Sequence, residues 1–357
     1  MRLLENEQYQ NDVRRIAETA IPWEKLKNTS ILISGATGMI GKFLIDVIMF
    51  RNMRYQQQCK IYALGRNTEK AIERFEEYEE DSKFAFIPSD INKEIEVDCI
   101  EKIDYVIHAA SNTHPIAYAK DPIGTITTNV LGLKNMLDIA KDKHIKRFLF
   151  LSSVEIYGEN KGNVELFDEE YCGYIDCNTL RAGYPESKRV GEALCQAYRK
   201  QYEMDIVIPR LARSFGPTML LSDSKASSQF IKKGVAGENI ILKSKGNQLY
   251  SYIYVADAVS GILTCMLLGE DGQAYNIADE KCNVRLLDMA RITADCVGTN
   301  VLFEMPNQTE QEGYSKATKA LMNSKKIRNL GWEAKYDLST GLKQTIDILK
   351  NTQRIEQ

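Results

Sequence analysis

The sequence predicts a doubly wound α/β fold, a parallel sheet with helices on both faces, and three observations carry that reading. In the first half of the chain, short β-branched runs alternate with longer helical patterns, the rhythm of βαβ units. A glycine-rich turn joins the first of those runs directly to the helix that follows. After Gly216-Pro217 the rhythm breaks, so a second, smaller unit gathers in the remainder of the 357 residues. That length suits about two domains of roughly 150 residues each.

Taken in order, the residues before Ser30 read as a helical extension with Val13, Ile16 and Ala17 as its docking stripe. Ile31 to Ser34 reads as the first strand, Phe43 to Phe50 as a helix and Lys60 to Leu64 as a strand. Glu69 to Glu80 reads as a charged helix with Ile72 and Phe75 turned inward. Phe84 to Ile87 and Tyr105 to His108 are the next strands. Asp121 to Lys141 is a long helix in which Ile126, Val130, Leu133, Leu137 and Ala140 recur at helical spacing, and it leads into a strand over Phe148 to Ser152. Glu186 to Gln201 is a further helix, followed by the strand Ile206 to Ile208. A polar loop, Ser222 to Ser228, then opens a run of mixed short elements. No Pro/Ser-rich linker separates the two parts, so they share an extensive interface.

The 46 Lys plus Arg against 49 Asp plus Glu leave a formal charge of −3 without a long run of one sign. Nucleic acid therefore finds no electrostatic platform here. Apolar residues at 44% and charged residues at 27% are globular usage, which excludes a disordered chain. Met1 to Ser30 is polar and charged, and no later stretch approaches the ~18 apolar residues of a membrane span, so the expectation is a cytoplasmic protein with no membrane partner. Eight cysteines, at 59, 99, 172, 177, 195, 265, 282 and 296, lack a CxxC pair and read as reduced thiols. Cys172 and Cys177 are the close pair, and His108, His114 and His144 lie elsewhere, so no metal site is expected.

Gly35-Ala36-Thr37-Gly38-Met39-Ile40-Gly41 follows the first strand and opens the first helix of the alternating series. Glycines suit that place because the turn is tight, the backbone approaches a pyrophosphate, and the helix N-terminus offers unpaired N–H groups to the anion. The spacing is GxxGxxG. A dinucleotide site commonly carries an acidic ribose ligand at the end of the second strand, but here Gly65-Arg66-Asn67 stands there. An arginine in that position pairs with a 2′-phosphate or stacks on adenine, so the cofactor is NAD or NADP with a lean to NADP. Asp90 and Ile91, after the third strand, are placed to contact the adenine edge.

Tyr184-Pro185-Glu186-Ser187-Lys188 sets a phenol and an ammonium on one helix face. An unperturbed phenol, pKa near 10, is a poor base at neutral pH, and a fixed ammonium beside it favours the phenolate. Such a tyrosine takes a hydroxyl proton while hydride leaves the carbon. Ser152-Ser153 ends a strand at the carboxyl edge of the sheet, where ligands bind, and a serine hydroxyl there shares that proton.

The glycine triplet, His108-Ala109-Ala110, Asn129, Ser153 five residues before Gly158, the Tyr184/Lys188 pair and Arg210-Leu211-Ala212-Arg213-Ser214-Phe215-Gly216-Pro217 occur in one order. Together they resemble the extended short-chain dehydrogenase/reductases, the NAD-dependent epimerase/dehydratase family acting on nucleotide sugars. The likeness runs from about residue 30 to Leu330-Gly331-Trp332 and the final helix. It implies a Rossmann-like domain over 30–216 that holds the cofactor and a smaller carboxyl-terminal domain, mainly 217–357, that binds the substrate. Segments around 250–280 would return to the first domain, and 1–29 is the extension. It also implies that Tyr184 is the base, Lys188 orients tyrosine and ribose, Ser153 bonds the reacting oxygen, and Asn129 and Ala109-Ala110 belong to the cofactor-side group. A homodimer formed by the two long helices is implied as well.

Within that family the subclass residues pull in different directions. Glu155 resembles the carboxylate that 4,6-dehydratases and UDP-glucuronate decarboxylases use beside a transient 4-ketone, but Val154 departs from the aspartate of the hexose dehydratases. Arg181 matches the Arg-x-x-Tyr order of the decarboxylases and suits a substrate carboxylate. Tyr250 stands where such families carry an arginine, and Arg213 where they carry an asparagine, so Arg213 with Lys225 restores the charge or admits another substrate head. Gln229 completes the expected substrate contacts. The reading is a UDP-glucuronate decarboxylase-like reaction, with a 4-epimerase or 4,6-dehydratase as the alternative. An NADPH-consuming ketoreductase and a non-catalytic dinucleotide sensor are the more distant rivals.

Overall fold

The computed structural model describes residues 1–98, 100–113, 115–306 and 317–352, so Cys99 and His114 lie outside the described residues. In chain order the elements are α1 (Glu7–Ala17), β1 (Ser30–Ser34), α2 (Met39–Tyr55), β2 (Lys60–Gly65), α3 (Thr68–Phe75), β3 (Phe84–Pro88), β4 (Tyr105–His108), α4 (Pro115–Lys120), α5 (Pro122–Asp142), β5 (Arg147–Phe150), β6 (Ser152–Ser153), α6 (Gly183–Tyr202), β7 (Ile206–Leu211) and β8 (Arg213–Phe215). They continue with α7 (Ala226–Val235), β9 (Ile240–Leu242), β10 (Leu249–Tyr254), α8 (Val255–Leu268), β11 (Ala274–Ile277), β12 (Asn283–Arg285), α9 (Leu286–Val297), β13 (Val301–Phe303), β14 (Lys319–Ala320) and a terminal helix, Leu338–Asn351.

The main sheet runs β11-β7-β5-β4-β1-β2-β3, with β6 also beside β7, and its pairings are parallel. Its inner strands read as unbroken apolar runs because helices cover both faces, and β1, Ser-Ile-Leu-Ile-Ser, is buried at every position. The strand order reverses between β1 and β4, and the crevice over their carboxyl ends is the topological switch point of such sheets. A smaller sheet is centred on β10, parallel to β8 and β14 and antiparallel to β12. Thus the stretch 250–280 divides. β10 organises the smaller sheet, α8 is buried along Val255–Leu267 against α1 and α2, and β11 pairs with β7 in the main one.

The extension is docked. Tyr9, Val13, Ile16 and Ala17 of α1 are buried, and Asn6 caps the helix by accepting from the Tyr9 N–H. Asp12, also buried, accepts from the Tyr254 hydroxyl (2.6 Å), the Tyr336 hydroxyl and Gln344 Nε2 (2.6 Å). The Tyr9 hydroxyl donates to Asp46 of α2, which also holds Lys42 Nζ at 2.7 Å.

Three expectations need correction. α3 is only two turns long, and its inward face carries Ala71, Arg74 and Phe75, while Ile72 is 54% exposed. Ile126 lies on the outer face of α5, 42% exposed. The loop after Ser222 stops at Lys225, because Ser227 and Ser228 belong to α7 with their side chains buried. Among the described residues no helix is long and apolar enough to cross a membrane, and the described cysteines are free thiols, Cys172 and Cys177 exposed.

Candidate active site

A cleft of about 890 Å³ extends from the carboxyl ends of the main sheet to β10 of the smaller sheet, within the size range of small-molecule sites. One end is built by the glycine turn, and Gly35, Thr37, Gly38, Met39, Ile40 and Gly41 all line it. Gly35 has φ +71°, and a Cβ there would lie 2.7 Å from the Ala109 carbonyl carbon. A Cβ on Gly41 would meet the Gly35 carbonyl oxygen at 2.5 Å, so only glycine lets α2 start this close to β1. No side chain caps α2 at Gly38, which leaves its first-turn N–H groups open to an anion. The cradle fits a dinucleotide pyrophosphate.

Arg66, Asp90, Ile91, Ala109 and Ala110 line the same end. So does Lys70, which the sequence reading missed although it lies one helical turn beyond Arg66. Burial lowers the Lys70 pKa, with Arg74 and Arg66 adding repulsion, so an anion is welcome beside it. Two expected cofactor residues do not line the cleft. Asn67 faces its own helix, where its side chain accepts from the Lys70 N–H as the cap of α3. Asn129 is fully buried behind the wall, accepting from Ser111 Oγ (2.6 Å) and donating to Ser187 Oγ (2.8 Å), so it ties α5 to α6.

At the middle of the cleft α6 brings Tyr184 and Lys188 beside Ser153, which follows β5 at the sheet edge. Burial and then the Glu155 charge push the Tyr184 pKa up to about 12, against the lowering influence of the Ser153 hydroxyl beside it. The ammonium expected to favour the phenolate is itself weakened. Burial pulls Lys188 down to about 8, and its Nζ donates to the Leu151 carbonyl oxygen at 2.8 Å. Both effects have one cause, since the two groups share a dry pocket.

Glu155 departs most from expectation. Its Oε2 lies 2.5 Å from Arg181 Nη2 and its Oε1 3.4 Å from Arg213 Nη2. Burial would raise its pKa, but the two guanidinium groups outweigh that and hold it below the usual carboxylate value. Arg213 lies with its guanidinium carbon 3.8 Å over the Tyr250 ring, so a cation does stand at the Tyr250 position. Arg181 Nε and Nη1 and Arg213 Nε are buried without a hydrogen-bond partner among the described residues. Lys225 and Gln229 line the far end, where Lys225 is paired with Asp223 at 2.8 Å. Tyr118 of α4 also lines the reaction centre, and no periodic pattern in the sequence singled it out.

The sequence matches the NAD dependent epimerase/dehydratase family over residues 31–278. It is 30% identical over 315 residues to UDP-glucuronic acid decarboxylase 3 of Arabidopsis thaliana, covering 88% of this chain and 87% of that one. It is 29% identical to UDP-glucuronic acid decarboxylase 1 of Xenopus tropicalis, covering 90% of this chain and 72% of that one. In fold it resembles the UDP-glucuronic acid 4-epimerase of Bacillus cereus, solved with UDP-glucuronic acid and NAD, at TM-score 0.77 and 21% identity over 90% of this chain and 99% of that one. It also resembles dTDP-glucose 4,6-dehydratase of Bacillus anthracis, solved with NAD, at TM-score 0.75 and 20% identity over 91% and 97% of the two chains.

Proposed function

The chain belongs to the NAD dependent epimerase/dehydratase family, among the extended short-chain dehydrogenase/reductases, and from that premise we propose that it acts on a nucleotide-diphosphate sugar through a transient 4-ketone. The substrate of this reading is UDP-glucuronate, and the outcome is loss of carbon dioxide. One observation carries it. Arg181, Arg213 and Glu155 form a half-buried cluster of net charge +1 in which three buried guanidinium nitrogens have no hydrogen-bond partner among the described residues, beside Tyr184. A buried excess cation with free donors is costly unless an anion completes it, and a planar carboxylate accepts two such N–H groups at once.

A nicotinamide dinucleotide in the glycine cradle supplies a reversible hydride acceptor. The chain's own residues do the rest. Tyr184 Oη takes the proton of the C4 hydroxyl, Ser153 Oγ shares that hydrogen bond, and Lys188 keeps positive charge near both. Arg181 and Arg213 hold the uronate carboxylate until it leaves. NADP(H) binds at least as well as NAD(H), because the free charge of Arg66 and the crowded Lys70 flank the place where a 2′-phosphate would lie. Residues 30–216 serve the cofactor and 217–357 mainly the substrate, with β11 completing the cofactor sheet. The free thiols favour a cytoplasmic home, and exposed apolar residues on α5 and α6 favour a homodimer.

A second reading, 4-epimerisation of the same uronate, draws on Glu155. Held ionised between two arginines, it is a poor acid for returning a proton to a ring carbon after decarboxylation. Incubation with UDP-glucuronate and with neutral UDP-, dTDP-, CDP- and GDP-sugars, read by mass and proton NMR, separates the cases. Loss of carbon dioxide from UDP-glucuronate is expected, and Tyr184→Phe should cut turnover by about 10²–10⁴ while still binding cofactor. Unchanged mass with an inverted centre would make the protein an epimerase, and no turnover of any uronate would sink both readings.

A further inference from the structure

Arg210 opens the run that ends at Pro217, but unlike Arg213 it does not line the cleft. It is 8% exposed and forms the centre of a polar network behind the reaction centre. Its Nε and Nη2 fork onto the two carboxylate oxygens of Glu192 at 3.0 and 2.6 Å. Its Nη1 donates to the Tyr157 hydroxyl at 3.0 Å and to the Glu169 carbonyl oxygen at 2.7 Å. Each partner is fixed in turn. Glu192 Oε1 also accepts from Ser152 Oγ at 2.6 Å, and the Tyr157 hydroxyl donates to Asn276 Oδ1 of β11. Asn276 Nδ2 in turn donates to the carbonyl oxygens of Phe167 and Asn323, both at 3.0 Å.

Ser152 and Tyr157 bound the segment that carries Ser153 and Glu155. Glu192 stands on α6, one turn beyond Lys188 and two beyond Tyr184. A buried ion pair often stabilises a fold no more than apolar residues of the same volume would. What apolar residues cannot supply is direction, because the guanidinium fork fixes angles as well as distances. We propose that Arg210 is a positioning residue: it holds both ends of Ser152–Tyr157 against α6, so that Ser153 and Glu155 keep their places beside Tyr184 and Lys188. The inference rests on the roles given above to Tyr184, Lys188 and Ser153 in the chemistry of a sugar nucleotide.

Arg210→Lys keeps the charge and loses the fork, since one ammonium cannot span both Glu192 oxygens and also reach Tyr157 and Glu169. Wild type and variant would be compared in kcat and KM, on whichever sugar nucleotide of the panel the wild type turns over, and in NADPH affinity by calorimetry. Amide hydrogen exchange, read by mass spectrometry, would follow the segment itself. The variant's kcat should fall by about 10²-fold, the loss that a displacement of about 1 Å brings at a reacting centre, with KM and NADPH affinity unchanged. Exchange should quicken over residues 152–157 and not over the glycine turn. Wild-type kcat, or wild-type exchange over 152–157, would overturn the proposal, as would a loss of NADPH affinity in step with kcat, which marks a general disturbance of the fold. If Arg210→Lys does not fold, Ser152→Ala and Tyr157→Phe release the segment one end at a time and are judged by the same outcomes. If the wild type turns over no sugar nucleotide, the nucleotide-sugar reading fails, and the exchange over 152–157, which needs no substrate, alone decides the role of Arg210.

Discussion

Tyr184 and Lys188 show what a dry pocket does to a pair that a spacing rule alone makes look activated. Removing water disfavours whichever form is charged, so the phenol rises to about 12 and the ammonium falls to about 8. Glu192, four residues beyond Lys188, opposes the fall and holds it from going further. The sign of the resulting pH dependence is fixed: a cation with a lowered pKa loses its charge as pH rises through that value. The logarithm of kcat/KM should therefore decline above about pH 8, and Glu192→Gln should move that limb to lower pH. A profile level to pH 10 would mean that the Lys188 charge plays no part. Spacing revealed the Tyr/Lys pair because one turn of one helix sets it. Glu155 was singled out only through the family resemblance, and nothing local announced its capture by Arg181 and Arg213, which arrive from a later turn and from the smaller sheet.

α1 makes the parallel case at the level of an element. Its stripe Val13, Ile16 and Ala17 was legible from helical spacing, whereas nothing in the sequence marked Asp12. Its partners Tyr254, Tyr336 and Gln344 come from distant parts of the chain, and no local pattern could announce them. Asp12→Ala would strand three donors, two of them buried tyrosine hydroxyls, at roughly 1–3 kcal/mol for each that stays unsatisfied. The urea midpoint should drop clearly with cofactor affinity retained, because the glycine cradle lies on the far end of α2. An unchanged midpoint would show that water replaces the carboxylate there. α3 and α7 were misread for a related reason. Short helices carry too few turns for periodicity to choose a face, and tertiary packing chose Phe75 over Ile72 and buried two serines of α7.

The whole molecule presents an apolar surface that its own fold leaves uncovered. Ile123 is 75% and Ile126 42% exposed on α5, and Val190 and Leu131 are exposed beside them on the packed α5–α6 pair. Light scattering should therefore give about twice the 40.6 kDa of one chain. Ile126→Asp, a charge among those exposed apolar residues, should return the protein to one chain, and a wild-type monomer at micromolar concentration would refute the dimer. The three-way grip on Asp12 has a different consequence, one of timing. Gln344 follows Asp12 by 332 positions, and ribosomes add about 5–20 residues each second. For a period on the order of tens of seconds after it emerges, α1 can settle its apolar stripe on α2 but has no terminal helix to close against, so the Asp12 carboxylate waits without its Tyr336 and Gln344 partners.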